Sequence, residues 1–163
     1  MLIVEDGTVV SGAESYVSVA DADTYFSNGG NDTWAAATTA AKESALRYAT
    51  QQIDGMYRWH STILSTSQEL GWPRAAFYDE EGRSIGGSGN MPKALKNATC
   101  ELAVAHLSNA LNEVGDNVVR ERIGSSEVQY GGSGSTKRDY RYVALLVRNL
   151  GVSIRSSGRI IRG

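Results

Sequence analysis

From Pro92 to about Leu111 the chain carries an apolar stretch that a lone surface helix would not tolerate. Leu95, Ala98, Thr99, Leu102, Ala105 and His106 trace one side of a 3.6-residue repeat, and Ala103, Leu107, Ala110 and Leu111 widen the stripe well beyond a single face. A helix this apolar needs cover on two sides, which makes it the core element around which the remainder must pack. Pro92 opens it at the first-turn position, where a missing N–H costs nothing. Burying each of its leucines contributes roughly 1.5–3 kcal/mol.

A second helix is predicted from about Thr39 to Met56. Leu46, Ala49, Ile53 and Tyr57 recur at three- and four-residue steps, while Lys42, Glu43, Arg47 and Gln51 fall largely elsewhere. Ala41, Ala45 and Ala49 give it a small-residue edge suited to close approach by a neighbouring helix. Upstream, Ser18 followed by acids in the first turn predicts a helix start, and Asn28-Gly29-Gly30-Asn31 its stop. Trp34 belongs to a short turn that packs down. A last helix is predicted over Asp139–Leu150, with Tyr142, Val143, Leu146, Val147 and Leu150 on its inner face. Residues 1–17 alternate weakly and read as an extended arm or a short hairpin. Val118–Ile123 and Glu127–Tyr130 alternate about Gly124-Ser125-Ser126, as a β-hairpin does. Tyr57-Arg58-Trp59-His60 forms an aromatic cluster, Phe77–Arg83 a tight surface turn, and the glycines at 86, 87 and 89 a flexible loop.

Between the two long helices lies Gln68-Glu69-Leu70-Gly71-Trp72-Pro73-Arg74. Trp72 demands burial and a partner for its indole N–H. Pro73 holds Trp72 extended and forbids a helix through this point. Arg74 adds a planar, permanently charged fork of donors. The expectation is a structural pin made of Trp59, Trp72, Pro73 and Arg74, which fixes the crossing of the two long helices while Arg74 bonds backbone carbonyls or an acid.

The 163 residues suit one domain over 1–150, with its hairpin at about 118–130, and a C-terminal arm over 151–163. The fold class expected is mainly α: a small helical bundle with a β-hairpin and extended N- and C-terminal arms. A net charge of −2 hides a gradient. Residues 1–36 carry six acids and no Lys or Arg, whereas residues 137–163 carry Lys137, Arg138, Arg141, Arg148, Arg155, Arg159 and Arg162 against Asp139 alone. Opposite charge at the two ends permits head-to-tail attraction between copies, or capture of an acidic partner by the basic end. The tail from Val152 alternates basic and apolar residues, and by itself cannot bury Ile154, Ile160 and Ile161. It fits a strand added to another subunit's sheet, a phosphate contact or a frayed terminus.

Chemistry is missing. The start Met1–Asp6 has neither a basic region nor a long apolar core, and no run approaches transmembrane length, so an intracellular protein without membrane contact is expected. Cys100 stands alone inside the apolar run, as a buried inert thiol. His60 and His106 lie on different elements and have no metal-ligand spacing. The 86–89 loop lacks the lysine and hydroxyl of a phosphate cradle. Asp21, Asp23, Glu80 and Glu81 sit in polar contexts. No enzyme, no metal and no cofactor is expected.

Several segments, in order, resemble one family. They are Tyr16-Val17-Ser18-Val19-Ala20-Asp21-Ala22-Asp23-Thr24-Tyr25, the helix from Lys42 to Asp54 with Tyr57-Arg58-Trp59, then Gln68-x-Leu70-x-Trp72-Pro73-Arg74, and Met91–Ala103. The order is similar to small neck proteins of tailed bacteriophages, the head–tail adaptor or head-completion proteins, whose relatives are often labelled DnaT-like, meaning single-stranded-DNA binding. The resemblance spans about residues 14–130. It implies a helical adaptor in the virion neck, present in the host cytoplasm before assembly, whose copies form a dodecameric ring under the portal. The ring would extend the channel for double-stranded DNA and present a platform to a stopper or tail-terminator protein. Arg148, Ile154, Arg155, Arg159, Ile160, Ile161 and Arg162 are then the candidate contacts to portal or neighbouring subunit. One competing reading is a single-stranded-DNA-binding module stacking bases on Tyr57, Trp59, Tyr78 and Tyr130, against which the acidic balance argues. Another is a tail-completion or stopper protein of the same neck.

Overall fold

A computed structural model describes residues 1–79, 81–108, 121–123, 126–128 and 140–154. Helix α1 (Val19–Gly29) begins at Ser18, whose hydroxyl accepts the N–H of Asp21 at 3.0 Å, and ends at Gly30 in the left-handed conformation. Asn31 caps the short α2 (Asp32–Ala36), and its buried Trp34 lies 4.8 Å from the Phe26 ring. The Trp34 indole N–H donates to Asp23 at 2.7 Å, and Lys42 pairs with the same carboxylate.

Helix α3 (Thr39–Met56) has the predicted bounds. It packs along α4 (Lys93–Leu107) in the largest helix–helix contact of the described fold. Ala45, Leu46, Ala49 and Ile53 on one helix meet a core shared with Leu95, Ala98, Leu102 and Ala103 on the other, all buried. The alanine edge is what brings the two backbones together, because larger side chains there would hold them apart. Pro92 sits at the cap of α4, its carbonyl accepting the N–H groups of Leu95 and Lys96. The buried Thr99 hydroxyl is satisfied by the Leu95 carbonyl at 3.0 Å. The predicted last turn, 109–111, lies outside the described residues.

The middle of the chain is strand and turn. β1 (Tyr57–Trp59) continues directly from α3, and β2 (Phe77–Tyr78) pairs antiparallel with β3 (Ser84–Ile85), so the expected surface turn is a small hairpin closed by Asp79. Strands β4 (Glu121–Ile123) and β5 (Ser126–Val128) form the predicted hairpin. Ile123 faces Ser126, which places Ser126 in the strand and outside the turn. Helix α5 (Arg141–Val147) packs on α4 through Val143 and Val147, but Tyr142, expected on the inner face, is 56% exposed.

Both expected arms are altered at their roots. Residues 3–15 close into a loop around Glu5, which is buried and accepts the backbone N–H groups of Gly7, Val9 and Val10. Val4 bridges Ser15, so the segment is folded back instead of extended. The 86–89 loop is tied to it, since Gly89 donates its N–H to the Gly7 carbonyl at 2.7 Å. Gly7 has φ +102°, and a Cβ there would stand 2.8 Å from the Gly89–Asn90 backbone, so only glycine fits. At the other end, residues 151–153, assigned to the C-terminal arm, are strand β6 (Gly151–Ser153). It pairs antiparallel with β1, with Trp59 opposite Gly151. The partner of residues 151–153 is thus a strand of the same chain, and it lies too far upstream for the local pattern to show it. Residues 155–163 lie outside the described residues.

Candidate functional site

The predicted pin is built around a residue that sequence reading missed. Asp54, in the last turn of α3, accepts the Tyr16 phenol O–H at 2.7 Å, the Trp59 indole N–H at 2.9 Å and the Gly71 backbone N–H at 2.8 Å. The Tyr16 oxygen in turn accepts the Trp72 N–H at 3.1 Å. One carboxylate thus joins the N-terminal segment, the end of α3, β1 and the Gly71–Trp72 turn. Burial pushes its pKa up, against the lowering effect of these donors and of Arg74. The readable signal was position, because an acid at a helix C-terminus opposes the macrodipole and stays there only if specific donors hold it.

Trp72 is fully buried behind a cis peptide bond to buried Pro73, edge-on to Trp59 at 6.1 Å and tilted against Phe77 at 6.3 Å. The expected partner for its indole N–H is absent among the described residues. Arg74 donates Nε–H to the Gly71 carbonyl at 2.6 Å and a terminal N–H to Ser61 at 3.2 Å. The four pin residues therefore gather at the C-terminal end of α3 and brace β1 and the β2 hairpin. The α3–α4 crossing itself is made by the helices' own side chains.

No group of three or more metal-ligating side chains exists among the described residues, and no helix among them is long and apolar enough to cross a membrane. His60 packs edge-on to Phe77 at 6.0 Å and His106 stacks on Tyr48 at 5.3 Å, on separate elements. Burial pushes the Cys100 thiol up to about 12, which removes the thiolate. Tyr142, Leu145, Val152 and Ile154 are each at least half exposed on α5 and around β6. Of the predicted contact residues, Arg148 and Ile154 lie there, exposed, and the remaining five lie outside the described residues.

The described surface also has concavities. A cleft of about 600 Å³ runs between α1 and α4, where the Tyr25 phenol donates to Glu101 at 2.6 Å. A groove of about 360 Å³ is lined by His60, Phe77, Tyr78, Asp79, Arg148 and Asn149. Of the four stacking candidates, Tyr57 and Trp59 are buried and stacked on each other, Tyr78 is 75% exposed, and Tyr130 lies outside the described residues.

Across residues 1–163 the chain matches the profile of a family described as "Putative DnaT-like ssDNA binding protein". The chain belongs to this DnaT-like family. No curated protein and no solved structure matches it. For a DnaT-like chain the charge arrangement is sparing. Lys42, Arg47, Arg83 and Lys96 each lie against a carboxylate.

Proposed function

We propose that this DnaT-like protein is a structural component of the neck of tailed bacteriophages: a head–tail adaptor. Its copies assemble as a dodecameric ring under the portal, extend the channel for double-stranded DNA and present a docking platform to the stopper or tail terminator. The observation that carries this reading is the run of exposed apolar side chains at the C-terminal end, with Leu145 at 62%, Tyr142 at 56%, Val152 at 52% and Ile154 at 50%. Large apolar groups gathered in this way on neighbouring elements mark a surface made for another protein. Arg148 is exposed beside them in the chain, and the sequence after 154 adds Arg155, Arg159 and Arg162, a basic balance that matches the acidic first 36 residues of another copy or an acidic face of the portal.

Two variants test it. Deleting 155–163 leaves β6 intact, and Leu145→Asp places a charge on the exposed face of α5. Both should keep the wild-type melting curve and fail to join portal-containing heads, as seen by electron microscopy. Heads that bind both variants as well as the wild type would remove the adaptor assignment.

A second reading, a single-stranded-DNA-binding module, follows the family description and is favoured by the groove at Tyr78 and Arg148. Against it stand the burial of Tyr57 and Trp59 and the four cations already paired with carboxylates, since backbone neutralisation needs free positive charge.

A further inference from the structure

We propose that the outer face of the β1–β6 sheet of one copy seats in the hollow between α1 and α2 of a second copy, with Arg58 of the first against Asp32 of the second. This rests on the ring assembly proposed above and names the two surfaces that would form its joint. On the sheet, Arg58 stands directly opposite Val152, and both are exposed while Tyr57, Trp59 and Gly151 beside them are buried. Cross-strand partners share a face, so a cation and an apolar side chain lie side by side there. Ile154, 50% exposed, follows in the chain. Arg58 has no carboxylate within ion-pair distance among the described residues.

The hollow measures about 280 Å³, at the bottom of the roughly 300–1,000 Å³ range of small-molecule sites, and so suits side chains better than a ligand. Its walls include the Phe26 and Trp34 rings, 4.8 Å apart, with Gly30 and Ala35 beside them. The charges at its edge are Asp23, Asp32 and Lys42, two carboxylates against one ammonium. Lys42 is held by Asp23 at 2.8 Å and lies over the Trp34 ring at 5.4 Å, which leaves Asp32 exposed and without a cation among the described residues. An apolar hollow with a free carboxylate thus complements an apolar face with a free guanidinium, and neither surface complements itself. The two stand at opposite ends of α3. Lys42, in its first turn, lines the hollow, and Arg58 lies two residues beyond its end. Its 18 residues span roughly 27 Å, so one copy cannot seat its own sheet in its own hollow. The contact therefore runs head to tail and leaves one of each surface free for the next copy, the arrangement that closes into a ring or extends as a filament.

The test is cross-linking by a short bismaleimide in the full chain, in solution and on portal-containing heads, with Cys100 buried and unreactive. Ala35→Cys and Val152→Cys mark the two surfaces. Each variant alone should stay monomeric on denaturing gels, their mixture should give a covalent dimer, and a chain carrying both should give a ladder. Arg58→Glu or Asp32→Arg, added to the doubly marked chain, should cut the ladder about tenfold or more, and the two reversals together should restore it. All four positions are exposed, so melting curves should match wild type. A ladder in solution keeps this joint even if heads reject the protein. Heads that take up Arg58→Glu and Asp32→Arg as fully as wild type keep the adaptor reading and remove the joint. No mixed dimer in either setting, equal cross-linking of either variant with itself, or a double reversal that fails to restore the ladder would each overturn the proposal.

Discussion

The Tyr16 phenol and the Asp54 carboxylate meet at 2.7 Å across 38 positions of sequence, and both carboxylate oxygens lie at that distance from the phenol oxygen. The contact closes the N-terminal segment against the end of α3, and the Trp59 and Gly71 donors complete it. Asp54→Ala would leave three donors without an acceptor in a largely enclosed site. At 1–3 kcal/mol for each buried group left unsatisfied, the loss should be about 3 kcal/mol or more. Urea denaturation followed by tryptophan fluorescence measures it, and a loss below about 1 kcal/mol would show the network to be incidental.

The same carboxyl makes a pH prediction. Burial holds its proton more tightly in the fold than in the unfolded chain, so its folded pKa lies above the ordinary value of 3.8. Between the two values the native state binds more protons, and the slope of unfolding free energy with pH is negative. The advantage of wild type over Asp54→Asn should therefore shrink as pH rises through the folded pKa. Paired denaturation curves across the acidic range give the sign directly.

Trp72→Ala should cost about 3–5 kcal/mol, because a fully buried ring leaves a cavity between Trp59 and Phe77. Trp72→Phe should cost markedly less. The indole N–H has no partner among the described residues, so the substitution sacrifices ring volume without breaking a hydrogen bond. Equal losses in the two variants would mean that the N–H is bonded.

Gly71→Ala tests how closely the turn approaches the network. A Cβ there would lie 2.5 Å from an Asp54 oxygen and 2.6 Å from the Trp59 indole nitrogen, so the turn must move. The expected cost is about 1–3 kcal/mol, read as a lowered melting temperature. Gly29→Ala, where nothing lies within 4 Å, is the matched control.

Cys100 should resist alkylation in the native state at mildly alkaline pH, since burial pushes its pKa up to about 12. Labelling should appear only in denaturant. Labelling of the folded protein at the rate of a free thiol would show that α4 opens on the timescale of the reaction.

The long helices were legible because their information is local. Ser18, Thr38 and Pro92 mark starts through the orphan N–H groups of a first turn, and the apolar spacing of Leu46, Ala49 and Ile53 names the buried face. Tyr142 was misjudged because a helical wheel orders residues around an axis without saying where the neighbouring layer ends. The N-terminal loop was illegible since Glu5 reads as a surface acid until its carboxylate is seen to cap three backbone N–H groups.

By itself the sequence determined a mainly helical chain with a two-sided core helix, a Trp-Pro junction, a β-hairpin within about 118–130 and opposite charge at its ends. Those properties follow from residue spacing, backbone restriction and summation of charge. Tertiary structure alone decided that Gly151–Ser153 returns to pair with Tyr57–Trp59, that Asp54 is the acceptor joining four segments, and that Tyr57 and Trp59 are core while Tyr78 is surface. Strand pairing and hydrogen-bond closure join residues far apart in the chain, and no local pattern records which distant partner a residue will meet.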